Sequence, residues 1–299
     1  LSLRPMNPRA RAHLALIAAN LIYGANFSIS KIAMPAFIEP QGFIVLRVAF
    51  SLLLFWIFSR SSAKGVVVDF KDHIKLFFLG LSGVAINQML FFEGLARTSN
   101  INAALILTTN PIMVMAGASI VYKEKITLFR ALGILFGIAG ASALILLQMN
   151  GKGTATWQGD LMVLLNAAAY AAFMVFVKPL MKKYSPMLVI RWSFFYGFLF
   201  VIPFGTGQVM DIEWSTFTTP IWLSTFYVII ASTFLAYWFN TFGLQHLSPS
   251  VVSFYIYLQP IFATIISLLI THEPVTVPQI LSCLFIFIGV YLVNRPASR

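Results

Sequence analysis

The sequence predicts an all-α integral membrane protein of ten transmembrane helices, arranged as two inverted five-helix repeats. Three observations predict it: an apolar composition, the sorting of basic residues between ten apolar runs, and an internal duplication at a fixed offset. Of the 299 residues, 59% are hydrophobic and only 10% are charged, and mean hydropathy is +0.87. A soluble domain carries about 25% charged residues, so this chain cannot cover itself with polar surface. The runs are apolar on nearly all sides, which excludes the alternation of a membrane barrel strand.

A spanning helix needs about 20 mostly apolar residues. Ten runs qualify, approximately His13–Pro35, Gln41–Phe58, His73–Ala96, Ile101–Tyr122, Thr127–Met149, Gln158–Met181, Met187–Pro203, Ile221–Leu244, Pro249–Ile270 and Val277–Val293. The first reads as a permanent span, because it is too long for a signal peptide and lacks a small-residue cleavage site. With ten spans, 16 of the 20 Lys and Arg fall on one side of the membrane. Only Lys31, Arg47, Arg97 and Lys152 fall on the other, together with the acidic loop Asp211–Glu213. The positive-inside rule then puts both termini in the cytoplasm, and the net charge of +11 reflects this sorting rather than nucleic-acid binding.

The stretch from Gly94 to Thr127 recurs from Gly243 to Thr276 at an offset of 149, with seven identities in 34 ungapped positions. Gly94, Leu95, Ser99, Pro111, Ile112, Glu124 and Thr127 fall on Gly243, Leu244, Ser248, Pro260, Ile261, Glu273 and Thr276. The register continues through Leu132, Leu135, Phe136 and Gly140, which fall on Leu281, Leu284, Phe285 and Gly289. Five spans per copy is an odd number, so the copies, 13–149 and 158–294, enter the membrane in opposite directions. Their connections are too short to hold a soluble domain.

Chemistry must therefore lie between the helices. Pro111 and Pro260 each remove a backbone donor in mid-span, as a hinge beside a substrate path or as a static kink. Mid-span polar groups cluster in spans 1, 3, 4, 6, 8 and 9, where an unpaired amide in hydrocarbon costs several kcal/mol. Tyr23, Asn26, Asn87, Gln88, Asn110, Asn166, Tyr170, Tyr237, Trp238, Tyr257 and Gln259 are the candidate cavity lining. Interhelical glue, at roughly 1 kcal/mol each, is the plainer account of any one of them. Glu93, Arg47 and Lys31 are intramembrane charges. Glu93 carries a coupling proton on one reading and pairs with Arg47 or Lys31 on the other, favoured one. Glu124 and Glu273 end spans 4 and 9. Thr127 and Thr276 then read as N-caps, Thr276 with Gln279 as a capping box. Gly133, Gly137 and Ala141 give span 5 a small-residue face.

Enzyme signatures are missing. The four histidines lack metal-ligand spacing, Cys283 is the only cysteine, and no phosphate loop exists for ATP-driven transport. No cofactor is expected. The partners expected are a small-molecule substrate and the lipid bilayer, with protons as the candidate coupling ion, no nucleic acid, and a monomer or homodimer.

Gly94-Leu95, Ser99, Asn110-Pro111, Glu124, Thr127 and Gly133 through Gly140, with Arg47 early in span 2, resemble the EamA domain of the drug/metabolite transporter superfamily. The resemblance covers nearly the whole chain as two tandem domains. The second copy departs at Ser282 and Ile286, which replace Gly133 and Gly137, and at Pro274. The resemblance implies a gradient-driven carrier, often an exporter of amino acids or other small metabolites across the bacterial inner membrane. A sugar-phosphate or nucleotide-sugar carrier of the same fold is the alternative, and it would need basic residues such as Arg47 and Arg191 in the cavity. A membrane enzyme or a channel is disfavoured.

Overall fold

The computed structural model describes residues 7–59, 66–123, 127–149, 156–247 and 255–294. Glu124 and Ser248 lie outside them. The helices in chain order are α1 (Pro8–Ala33), α2 (Pro40–Phe58), α3 (Phe70–Arg97), α4 (Asn100–Val121), α5 (Leu128–Met149), α6 (Trp157–Lys183) and α7 (Pro186–Met210). Next comes α8, built from Thr219–Phe226, Tyr227–Leu235 and Ala236–His246 in succession, and then α9 (Tyr255–Ile270) and α10 (Val277–Asn294). The first eight contain stretches long and apolar enough to cross a bilayer, while α9 and α10 give shorter apolar stretches among the described residues. The chain is an all-α, multi-span integral membrane protein. Its outer surface is a belt of exposed Leu, Ile, Val and Phe side chains, as lipid contact requires.

Local chemistry sets the ends. Asn7, Ser99, Thr156 and Ser185 accept from backbone N–H groups of the first turns they precede. Pro8, Pro40 and Pro186 open helices, where their missing N–H is not needed. Thr127 accepts from the Arg130 N–H, and Gln279 Oε1 accepts from the Thr276 N–H at 2.9 Å, the reciprocal half of a capping box. One boundary differs from expectation. Helix α7 does not stop at Pro203 but runs on to Met210. Just beyond the proline, the Thr206 hydroxyl donates to the Ile202 carbonyl at 2.6 Å, within the continuing helix.

Glu273 also acts differently from a simple turn residue. Its carboxylate accepts from the N–H groups of Asn100 and Ile101 at 3.1 and 3.3 Å. It therefore caps α4, in the other half of the chain, where the helix dipole favours negative charge.

Several features of the two halves correspond at the offset of 149. Lys123 and His272 are the non-glycine residues with positive φ, 53° and 52°, among the described residues. Each follows the C-cap of its helix, α4 or α9, in the left-handed position that closes a helix end. Helix α4 breaks at Thr108–Thr109, and α9 begins with a 3-10 turn at Tyr255–Tyr257; both precede the mid-span proline. Helix α3 widens into a π-helix over Leu81–Ile86, and α8 does so over Tyr227–Leu235, which contains the counterpart of that segment.

Helices α5 and α10 pack antiparallel along most of their length. A Cβ placed on Gly140 would lie 2.7 Å from Ile286 Cγ1 and 2.8 Å from the Ser282 carbonyl, and one on Gly289 would lie 2.6 Å from the Gly133 carbonyl. Only glycine allows backbones this close. Phe136 and Phe285 meet across the seam with ring centroids 5.7 Å apart. Elsewhere the halves interleave: α1 packs on α8 and α9, α2 on α7 and the π-segment of α8, and α3 on α6 and α7.

Candidate substrate cavity

The polar centre is assembled by α1, α2, α3, α6 and α8. Arg47 lies about 10 Å along α2 from its start at 1.5 Å per residue, and only 6% of it is exposed. Its Nε donates to Thr233 Oγ1 at 2.9 Å, inside the π-segment of α8. Its guanidinium carbon sits 4.7 Å from the centroid of the Phe92 ring, on α3. Tyr23 (α1) and Tyr237 (α8) lie within electrostatic reach of Arg47 and of each other. Tyr170 (α6) is within reach of both phenols, and Asn240 (α8) is beside Tyr23. All three tyrosines keep part of their surface free although protein surrounds them. Rings that are hemmed in yet accessible line an internal space.

Thr233 and Tyr237 are four residues apart on one face of α8, and Thr233 belongs to the π-segment. A wide turn shifts the helix phase and frees carbonyls from the i−4 ladder. Thr233 Oγ1 donates to the Val228 carbonyl five residues back at 2.9 Å, while its oxygen receives Arg47. Sequence patterning carries no mark of this turn, so Thr233 and Phe92 were not among the expected site residues.

The other expected residues divide. Asn166 Nδ2 donates to the Asn87 carbonyl and Asn87 Nδ2 returns a bond to the Asn166 carbonyl at 3.3 Å, which ties α3 to α6. Gln259 Nε2 donates to Asn20 Oδ1 at 2.9 Å and ties α9 to α1. These are interhelical bonds. The Tyr257 ring packs 5.8 Å from Phe287 on α10. Asn26 Oδ1, Gln88 Oε1 and Asn110 Oδ1 are enclosed and accept no hydrogen bond among the described residues. An acceptor left in this state costs about 1–3 kcal/mol.

Trp238 is 39% exposed, between Phe58 and Phe234, whose ring centroids lie 5.3 and 5.6 Å from its own. Successive helix residues point about 100° apart, so Trp238 lies on a different face of α8 from Tyr237.

The charges expected to meet do not. Glu93 pairs with Arg97 one turn later and accepts from Gln41 Nε2 at 2.8 Å; Arg47 and Lys31 are bound elsewhere, Lys31 Nζ to the Thr98 carbonyl. The i,i+4 geometry within one helix wins over a cross-helix pair because both partners are already held side by side. Arg191 hydrogen-bonds Ser59 and lies over Trp56 and Trp192 at 4.5 and 5.6 Å, away from the tyrosines. A carboxylate that the sequence reading passed over, Asp160, is fully buried on the first turn of α6, holding Thr98 Oγ1 and Asn102 Nδ2. The signal was available: an acid inside an apolar run.

At Pro111, the hydroxyls of Thr108 and Thr109 donate to the carbonyls of Leu105 and Ile106 at 2.6 and 2.7 Å. These bonds tighten the turn just before the break, at the carbonyls that also receive the Thr108 and Thr109 N–H groups. An apolar groove of about 280 Å³ runs along the α5–α10 seam, lined by Ala139, Ala143, Pro278, Leu281, Ser282 and Phe285. It shares no residue with the polar centre.

A multi-span protein with a buried cation and three phenols at its helical centre belongs to the class of membrane carriers rather than enzymes. The comparisons fix the class. The EamA-like transporter family model matches residues 10–146 and again 157–295, and the chain belongs to that family. It is similar to the uncharacterized transporter YyaM of Bacillus subtilis (strain 168), 24% identical over 285 residues, 93% of this chain and 92% of that protein. It is also similar to an uncharacterized transporter of Archaeoglobus fulgidus, 23% identical over 275 residues, 91% of this chain and 95% of the other. A solved structure known only as the crystal structure of a protein shares the fold, with a TM-score of 0.64, 14% identity and coverage of 96% of this chain and 98% of that one.

Proposed function

We propose that this transporter exports small metabolites, amino acids or other amphipathic and aromatic compounds, across the inner membrane. It crosses the bilayer ten times as two inverted five-helix units, both termini in the cytoplasm, and works by alternating access. The α5–α10 seam carries the architectural part. Helices that correspond at the offset of 149, run antiparallel and exchange equivalent glycine contacts are what a pseudo-two-fold axis in the membrane plane requires. Phe136 and Phe285, counterparts at that offset, touch each other, as residues beside such an axis must.

The central ring of Arg47, Tyr23, Tyr170 and Tyr237 carries the transport part. It is polar, enclosed, and drawn from helices of both units. Rocking of one unit against the other would begin at the breaks before Pro111 and Pro260. The enclosed, unsatisfied oxygens of Asn26, Gln88 and Asn110 support a second packing in which they find donors. Of the basic groups weighed for a sugar-phosphate carrier, Arg47 reaches the tyrosines and Arg191 does not, which weakens that alternative. With Glu93 tied to Arg97 and Gln41, the structural role is the better supported one for that carboxylate.

Counterflow in proteoliposomes tests the reading. Saturable uptake, stimulated by unlabelled substrate on the far side, is expected. Flux linear in concentration with no trans-stimulation would overturn it in favour of a pore.

A further inference from the structure

The central cavity contains one charge without an opposite partner. Among the described residues, Arg47 has two polar or aromatic anchors, Thr233 and the Phe92 ring, and neither is anionic. The groups that act on it electrostatically are Tyr237 and Tyr23, both phenols. Each described carboxylate is placed elsewhere. Glu93 is paired with Arg97, Asp72 with Lys75 and Lys183, and Asp69 with Lys183. Asp160 is held by Thr98 and Asn102, and Glu273 by the α4 amides. Glu39, Asp211 and Glu213 lie outside the helices, at their ends.

The guanidinium uses only its Nε in a hydrogen bond. Its terminal nitrogens are not among the enclosed atoms that lack a partner, so the small part of Arg47 that stays accessible is its forked end. That fork matches a carboxylate in bidentate geometry. The phenols of Tyr23 and Tyr237 supply two further donors next to it. Around them stand the aromatic rings of Phe92, Tyr23, Tyr170 and Tyr237, with no second cation and no anion to receive an ammonium group.

We propose that Arg47 is the anion-recognition residue of the central cavity, and that the preferred cargo is a small monocarboxylate with a flat apolar body. The proposal rests on the transport reading above and narrows it. One cation balances one negative charge, so a phosphate dianion is left with excess charge. A zwitterionic amino acid brings an ammonium that finds no carboxylate. A neutral amide isostere leaves the guanidinium uncompensated.

The test is direct binding to the purified full-length protein in detergent, read by isothermal titration, with five probes of shared shape: phenylacetate, phenylacetamide, phenethylamine, phenylalanine and phenyl phosphate. Phenylacetate is expected to bind about tenfold or more tightly than phenylacetamide, as a charge-assisted bidentate pair should over a neutral one. It should also exceed the other three. Arg47→Gln is expected to reduce the carboxylate-to-amide ratio to about one while leaving amide binding in place. A purely structural Arg47 would weaken every probe alike. If Arg47→Gln does not fold, the wild-type ranking alone decides. Equal binding of phenylacetamide and phenylacetate, a preference for phenethylamine, phenylalanine or phenyl phosphate, or no binding of any probe overturns the assignment. Saturable counterflow with a cationic or neutral cargo would sink this inference while leaving the carrier reading intact; the loss of counterflow for all cargos would sink the latter.

Discussion

The α5–α10 seam is a direct contact between corresponding helices, whereas the corresponding helices α3 and α8 flank the polar centre as a wall without packing closely on each other, and the two pairs are built on opposite principles. The seam is dry. Gly140 and Gly289 bring the two backbones close, Gly140 against Ser282 and Ile286 and Gly289 against Gly133 and Gly137, with the Phe136–Phe285 pair alongside. In the wall, each helix opens a π-segment, and polar groups fill the widened turns or the adjoining positions. Close packing fixes one arrangement, because interiors at crystal-like density resist small displacements. Wide turns loosen the ladder and re-aim side chains. Each half thus has one closely packed helix and one with a widened turn, and the widened turn of α8 supplies Thr233, which holds Arg47 of α2.

The comparison can be broken most severely at the seam. Gly289→Leu drives a side chain into the Gly133 and Gly137 backbone, and overpacking of this kind costs about 3 kcal/mol. Thermal unfolding in detergent should show a large fall in Tm or no monodisperse protein. A wild-type Tm would mean the seam is not a tight contact.

A smaller loss is expected where α3 meets α6. Asn166→Leu removes the bond from its Nδ2 to the Asn87 backbone carbonyl, while the bond from Asn87 Nδ2 to the backbone carbonyl of residue 166 stays, so roughly 1 kcal/mol is lost. A modest fall in Tm with transport largely kept supports the reading of these amides as glue. Intact stability with abolished transport would return them to the cavity.

Within the wall itself, adjacent residues should behave differently. Tyr237→Ala is expected to raise the transport KM by about tenfold, or about 1.4 kcal/mol. Trp238→Ala, on the outer aspect, should leave KM within twofold or so of wild type, since an exposed ring touches no cargo. Equal effects would show that the helix phase assigned to α8 is wrong.

The smallest effect is expected at Glu93→Gln. The Arg97 partner is half exposed, and an exposed pair contributes only about 0.2–1 kcal/mol. Stability should barely change, and transport measured across pH should superimpose on wild type. A flattened pH profile would instead make Glu93 the coupling carboxylate.

Most of the scaffold was legible in the chain. The ten apolar runs anticipated the described helices to within a few residues, apart from α7, where Pro203 was read as a stop. A proline signals a missing donor, but only the surrounding bundle decides whether neighbours compensate for it. The Thr276–Gln279 cap was legible because its two residues are three apart. The partner of Glu273 was not, since it caps a helix more than 170 positions away. Tyr23, Tyr170 and Tyr237 were legible as polar groups in hydrocarbon, whereas the exposure of Trp238 beside them was not, because composition does not give helix phase.

By itself the sequence determined that this chain lives in a bilayer, roughly where its helices lie, and that its halves are related at 149 residues. Those properties follow from hydropathy, caps and identities, which are local or additive along the chain. Only the tertiary structure decided which polar groups bind each other and which remain available. Arg47 could have paired with Glu93; it rests instead on Thr233 and Phe92, because a π-turn in a distant helix brings a hydroxyl to it. Pairing among buried groups depends on helix phase and depth together, and neither is written at any one position.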